Sequence, residues 1–308
     1  MKFYTNVSQL IGGTPLLLLN GIKSHFGLCA DIYAKLENFN PTGSIKDRPA
    51  LSMIESALSK GEISQGATII EPTSGNTGIG IASICASKGF KAILVMPDTM
   101  SKERIKLLKA YGAQVVLTDG KLGMQGCIEK ANQLNKEIKN SCILGQFDNP
   151  ANALAHYNTT AEEIINDLDG KIDYFVAGIG SAGTIVGCAK KLKENNSNIK
   201  IIGVEPASSP LISKGVSSSH KIQGIGANFV PSNYDGSYID QITLVTDQDA
   251  ISYAKLLACK EGIFMGISSG ANLFAGVQLA KKIENKGKVI VVILPDSGDR
   301  YLSTELCD

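Results

Sequence analysis

Apolar residues fall into two patterns along this chain. Short runs dense in β-branched residues alternate with longer stretches in which apolar positions recur every three or four residues. The runs predict strands at Ile32–Leu36, Thr68–Glu71, Ala92–Met96, Gln114–Leu117, Tyr174–Ala177, Ile199–Val204, Thr243–Val245 and Val289–Leu294. The stretches predict helices at about Lys46–Lys60, Thr77–Lys88, Lys102–Tyr111, Met124–Ile138, Ala151–Leu168, Gly183–Glu194, Asp247–Glu261 and Ser269–Glu284. Aliphatic strands each followed by a helix imply parallel sheets covered on both faces. Gly61, Gly89, Gly112 and Gly262 read as helix C-caps and Ser101 as an N-cap. The expected fold is α/β, with two domains of mostly parallel sheets flanked by helices. Residues 39–145 hold four complete strand–helix units and read as a smaller, inserted domain; residues 1–38 plus 146–308 read as the larger one. The stretch Ala207–Tyr238 is the least regular and too long for an ordinary connection.

The strand-to-helix junctions carry the chemistry. Asn40–Ala50, NPTGSIKDRPA, sets Lys46 at the start of a helix. A helix N-terminus disfavours a cation, which favours the neutral, nucleophilic amine. Taken alone, a lysine in a first turn is usually a solvated side chain, and only the loops downstream reverse that reading. Thr73, Ser74, Gly75, Asn76 and Thr77, in EPTSGNTGIG, form a loop richer in donors than an N-cap requires, suited to a carboxylate. Gly178–Gly183, GIGSAG, offers backbone N–H groups to a phosphate at a helix start. It also matches GxGxxG with Glu205 some 22 residues after Gly183, the layout of a nicotinamide-dinucleotide oxidoreductase, and the loop alone does not decide between the two. Ser268, in GISSG, is either the partner of a ring nitrogen or an N-cap. Gln146, in GQFDNPAN, either faces the TSGNTG loop or marks a turn between domains. A lysine, a donor-rich loop and a phosphate cradle are the three parts a pyridoxal phosphate enzyme requires.

Composition narrows the field. Among 308 residues the net charge is +1 and only three are arginine, so neither nucleic acid nor an anionic membrane surface is an expected partner. Seven cysteines, an odd count without CxxC, fit reduced thiols in the cytoplasm. His25, His156 and His220 lie far apart, which gives a metal site no support. MKFYTNVSQLIGG lacks the apolar core of a secretion signal, and the aliphatic run Val289–Leu294 is too short to span a bilayer.

In their order these segments resemble the cysteine synthase (O-acetylserine sulfhydrylase) family, a group of fold-type II pyridoxal phosphate enzymes similar to the tryptophan synthase β chain. The resemblance runs from LIGGTPLL through KLENFNPTGSIKDR, EPTSGNTGIGIA, MPDTMSKER, GQFDNPAN, GIGSAGT, IQGIGANFVP and EGIFMGISSGAN to LPDSGDRYLST. It implies that Lys46 is the Schiff-base lysine and general base, and that Asn76 binds the cofactor's ring hydroxyl. It implies further that Gly180, Ser181, Ala182, Gly183 and Thr184 hold the phosphate and that Ser268 meets the pyridine nitrogen. Thr73, Ser74, Gly75, Asn76, Thr77 and Gln146 would grip the carboxylate of an amino-acid substrate. The implied reaction is a β-replacement giving L-cysteine from O-acetyl-L-serine and sulfide. The same scaffold serves cysteine β-lyases, lanthionine synthases and cystathionine β-synthases; the end of the chain at Asp308 argues against the larger regulated members of the last group. The resemblance also implies a homodimer, a smaller domain that closes over the substrate, and the C-terminal tail of serine acetyltransferase as a possible partner. One departure stands out: the family usually has IQGIGAG where this chain has IQGIGAN, so Asn228, with Tyr234, Asp235 and Asp240 nearby, is a candidate contact to the β-substituent.

Overall fold

A computed structural model of the protein describes residues 3–73 and 75–308. Ser74, expected at the substrate carboxylate, lies outside them. Among the described residues ten strands form two sheets: β1 Leu16–Leu18, β2 Asp31–Leu36, β3 Thr68–Pro72, β4 Lys91–Pro97, β5 Gln114–Thr118, β6 Ser141–Ile143, β7 Tyr174–Gly178, β8 Lys200–Pro206, β9 Gln241–Val245 and β10 Val289–Leu294. One sheet has the order β1-β2-β10-β7-β8-β9 and the other β5-β4-β3-β6. Every pairing is parallel except β1 with β2. No helix among the described residues is long and apolar enough to cross a membrane.

The chain divides into two compact units, 1–11 with 46–152 and 12–45 with 153–308. The first holds the four-stranded sheet and is called here the smaller unit; the second holds the six-stranded sheet. The first eleven residues, expected with the larger domain, go with the smaller unit. Asn6 donates to the Ser87 carbonyl at 3.1 Å and accepts from the Ser87 hydroxyl at 2.7 Å, and Ile11 packs on that unit's core.

Strand alternation builds a core on each face of each sheet. In the smaller unit Ile69, Leu94 and Met96 enter one core, while Ile70, Ile93 and Val95 meet Cys127 and Ala131 in another. In the larger unit Ile32, Val176, Ile290 and Val292 face one way and Phe175, Ala177, Val291 and Ile293 the other. These strands are apolar on both faces because both faces are covered.

All eight expected strands form. β1 and β6 were not expected, since three residues are too few to show a period. Gly89 and Gly262 cap helices at φ +74° and +72°, and the Ser101 hydroxyl accepts from Arg104 N at 3.4 Å. The helix expected over 151–168 runs from 150 to 167 but widens to π form over His156–Thr160, which no local sequence pattern signals.

Candidate active site

In the smaller unit, Lys46 is the residue that opens the helix Asp47–Ser59, and its carbonyl accepts from Ala50 N at 3.1 Å. The helix Asn76–Lys88 packs closely against that first turn. A Cβ on Gly80 would lie 3.2 Å from the Lys46 carbonyl oxygen and 3.1 Å from Asp47 Oδ1. Asn76 lies four residues before Gly80, on the same helix face. Lys46 and Asn76 therefore share one locus, although the chain separates them by 30 positions.

The donor loop lies at the C-terminal end of β3, where parallel sheets place their ligands. Thr73, Thr77 and Gln146 are buried. The Thr73 hydroxyl accepts from Gly75 N at 3.3 Å, and the Thr77 hydroxyl donates to Gln146 Oε1 at 2.6 Å. The structure thus brings Gln146 to the TSGNTG loop, the first of its two sequence readings. Open space surrounds the missing Cβ of Gly75, whereas Gly78 is filled from within by Thr73 and Leu94. Gly75 leaves room at the loop and Gly78 is a packing glycine. Sequence reasoning passed over Glu71, whose carboxylate accepts the backbone N–H groups of Gly145 and Gln146. Burial pushes it from 4.5 up to about 7.

In the larger unit the loop after β7 leads into the helix Gly183–Asn195, and Ala182 turns the chain at φ +63°. Gly180 lies so close to the segment Gln223–Asn228 that a Cβ would run into the Gly224 carbonyl oxygen. Gly226 N donates to the Ile179 carbonyl at 2.9 Å. Ser268, the second residue of the helix Ile267–Ala280, comes beside the same segment: a Cβ on Gly224 would lie 3.8 Å from its hydroxyl. Behind the loop, Thr184 Oγ1 and His156 Nε2 are 3.2 Å apart. Gly180–Thr184 and Ser268 therefore meet within this unit.

Two features test whether this arrangement suits pyridoxal phosphate. The loop is a cradle of backbone N–H groups at a helix start, kept narrow by a glycine that a Cβ would disrupt, which suits a phosphate. Beside it, Ser269 Oγ and Asn272 Oδ1 are buried with no hydrogen-bond partner, an expensive state for polar atoms. Asn272 Oδ1 lies next to Gly178, where a Cβ would come within 3.3 Å. The residues fit the group.

The rival dinucleotide layout fails at its acid. The buried carboxylate of Glu205 accepts from Ile212 N at 2.6 Å and from the Ser213 hydroxyl at 2.8 Å, capping the short helix Leu211–Lys214. It is spent on its own chain.

Asn228 takes the left-handed conformation, φ +62°, and its Oδ1 accepts from the Ser209 hydroxyl at 2.8 Å. Ser209 Oγ in turn accepts from Ser218 N at 3.0 Å. The side chain expected at the β-substituent thus clasps the long loop. Asp235 accepts from Ser237 N at 2.9 Å, and Asp240 pairs with Lys193 at 2.8 Å and Lys200 at 3.3 Å. Asp235 thus serves the loop's own structure, whereas Asp240 ties the start of β9 to the helix Gly183–Asn195 and to β8. Among the described residues no three His, Cys, Asp or Glu side chains converge to hold a metal ion, and no disulfide joins any of the cysteines.

Comparison with known proteins agrees with this geometry. The family model of pyridoxal-phosphate dependent enzymes matches residues 7–296. A cysteine synthase of Staphylococcus aureus is 49% identical over 302 residues, covering 98% of this chain and 96% of that protein. The crystal structure of a cysteine synthase from Entamoeba histolytica superposes with a TM-score of 0.96 at 44% identity, covering 99% of this chain and 91% of the other. That of a hydrogen sulfide-producing enzyme from Fusobacterium nucleatum gives 0.94 at 50% identity, covering 98% and 99%. On this family match and this identity over nearly its whole length, the chain belongs to the pyridoxal-phosphate dependent enzymes, among the cysteine synthases.

Proposed function

We propose that this protein forms L-cysteine from O-acetyl-L-serine and sulfide by β-replacement. The observation that carries the reading is the grouping of Lys46, Asn76, Thr73, Thr77 and Gln146 within one unit, supported by relatives named cysteine synthase at 49% identity. Pyridoxal phosphate, when bound, supplies an electron sink that makes the substrate's Cα proton removable. Gly180–Thr184 would hold its phosphate through backbone N–H groups and hydroxyls, Asn76 would meet its ring hydroxyl and Ser268 its ring nitrogen. A serine hydroxyl at that nitrogen, in place of a carboxylate, would add no negative charge beside the ring. Lys46 would anchor the cofactor, and its Nζ would be the general base for the substrate's Cα proton. Thr73, Ser74, Gly75, Asn76, Thr77 and Gln146 bind the substrate carboxylate and keep it oriented while the β-carbon exchanges acetate for sulfide.

A second reading, an L-cysteine β-lyase or lanthionine synthase, is favoured by the 50% identity to a hydrogen sulfide-producing enzyme. The protein is further proposed to be cytoplasmic, in keeping with cysteines that form no disulfide among the described residues, to be a homodimer, and to accept the tail of a serine acetyltransferase. Visible absorption of the purified protein, followed with sulfide and cysteine analysis, tests these readings. The synthase reading expects a lysine-bound chromophore that changes with O-acetyl-L-serine and recovers, with cysteine formed, when sulfide is added. Sulfide release from L-cysteine with indifference to O-acetyl-L-serine would replace it by the lyase. Lys46→Ala is expected to lose at least about a thousandfold in turnover while folding normally.

A further inference from the structure

Glu71, near the end of β3, is 1% exposed, and the function proposed above gives it no task. Its two oxygens accept one backbone N–H each, Oε2 from Gly145 at 3.0 Å and Oε1 from Gln146 at 3.2 Å. Gly145 stands at φ +67°, so the turn after β6 aims two successive N–H groups at one carboxylate. Gln146 is fixed at two more points. Its carbonyl accepts from Asn152 Nδ2 at 2.6 Å, and its Oε1 accepts from the Thr77 hydroxyl at 2.6 Å. Glu71 sets the backbone from which Gln146 hangs, and Thr77 sets its side chain.

We propose that Glu71 is a positioning residue for substrate binding: as a carboxylate it holds the Gly145–Gln146 turn in register with Thr77, so that Gln146 and Thr77 act as one grip on the amino-acid carboxylate. This rests on the function proposed above and assigns it a residue outside the substrate's reach.

The grip requires the ionised form. A carboxylate offers acceptors to both N–H groups, whereas the protonated acid turns one oxygen into a donor that faces an N–H. Burial holds Glu71 up at about 7 despite the N–H bonds that favour its charge, and Asp148 in the same turn raises it further. The other titratable groups around it stay neutral in this range. Burial lifts Cys142 on β6 to about 11 and Cys85 on the helix Asn76–Lys88 to about 12. β4 presents Leu94 in register with Glu71, and the helix Gly123–Glu137 packs Cys127 and Ala131 under the neighbouring Ile70. Loss of the Glu71 proton is therefore the local event that assembles the grip as pH rises toward neutrality.

The test is the pH dependence of KM and kcat for O-acetyl-L-serine in the holoenzyme, with Glu71→Gln and Glu71→Asp alongside. Amide hydrogen exchange at Gly145 and Gln146 is followed over the same pH range. The unaltered enzyme should show KM rising about tenfold from pH 8 to pH 6, as the ionised fraction falls to about a tenth, with kcat changing less than about threefold. Exchange at the two amides should quicken, relative to its intrinsic rate, over the same interval. In Glu71→Gln the KM should be high at every pH and the acidic limb absent; Glu71→Asp should restore the limb in part. A KM that is flat in the unaltered enzyme, a limb that persists in Glu71→Gln, or exchange at Gly145 and Gln146 that ignores both pH and the variant would overturn the proposal. Should the variants not fold, the pH series and exchange on the unaltered enzyme decide it. An enzyme inert to O-acetyl-L-serine would overturn the synthase reading instead, and the same series with L-cysteine, read as sulfide release, would then decide on Glu71.

Discussion

The imidazole of His156 and the hydroxyl of Thr184 meet at 3.2 Å inside the larger unit, and the ring's other nitrogen meets Thr160 Oγ1 at 2.9 Å. His156 is fully buried, in the π-helical turn. Each ring nitrogen thus has a hydroxyl that can donate or accept, so a neutral imidazole is satisfied in either tautomer. When His156 donates through Nε2, the Thr184 hydroxyl accepts there and keeps its own proton for another acceptor. Thr184→Val is expected to weaken cofactor retention about tenfold, the worth of one hydrogen bond to a charged group, whereas Thr184→Ser keeps it. Spectrophotometric titration of the cofactor-free protein with pyridoxal phosphate measures this, and equal affinities in Thr184→Val and the unaltered protein would refute it.

Gly180 has no room for a side chain, because the Gly224 carbonyl occupies it. Gly180→Ala must push the two loops apart. The expected cost is about 1–3 kcal/mol of stability, accompanied by poor cofactor binding, since one movement disturbs both. Thermal unfolding of the cofactor-free and cofactor-loaded forms separates the two effects. A variant that unfolds like the unaltered protein would show the loops to be more yielding than their packing implies.

Glu71 opposes stability where it serves binding. Its proton is held more tightly in the folded protein, at about 7, than in the unfolded chain, at 4.5. Its contribution to stability is therefore largest below pH 4.5, declines as pH rises to about 7, and is constant above. The difference corresponds to about 3 kcal/mol across that interval. Urea unfolding from pH 4.5 to 8 should show the unaltered protein losing stability relative to Glu71→Gln over that range; parallel curves would contradict the burial argument.

Asn228 and Ser209 are expected to behave as one device. If Asn228 acts through its clasp on the loop, Asn228→Ala and Ser209→Ala change KM for O-acetyl-L-serine by similar factors. The double variant then adds little to either, since both remove the same bond. Additive effects in a double-mutant cycle would return Asn228 to direct contact with the β-substituent.

The parts of the site legible in the sequence are those encoded locally. Lys46, the donor loop and the phosphate loop each lie where a strand turns into a helix, and turn residues signal such junctions within a few positions. What stayed hidden depends on distant pairing. Nothing near Glu71 announces that Gly145 and Gln146 will come to it from over seventy positions away. Glu205 shows the converse: it stands at the spacing of a ribose-binding acid, yet its carboxylate turns back to cap Leu211–Lys214. Spacing records where a group sits on the chain, and only the fold records whether its lone pairs are already spoken for. The π turn at His156–Thr160 was illegible for a related reason. Its residues, HYNTT, include no glycine or proline to mark a change of winding, and Thr184, which meets His156, lies 28 positions further on.

In the six-stranded sheet, β10 lies between β2 and β7, matched residue for residue with Asp31–Leu36 on one side. During synthesis β2 leaves the ribosome more than 250 residues before this neighbour exists. Until then its inner edge has no strand to pair with, and the aliphatic faces that β10 will cover stay open to other chains. Assembly of the larger unit therefore waits on the last strand translated, and a message cut short before Val289 would yield a chain with an unfilled slot at the centre of its sheet.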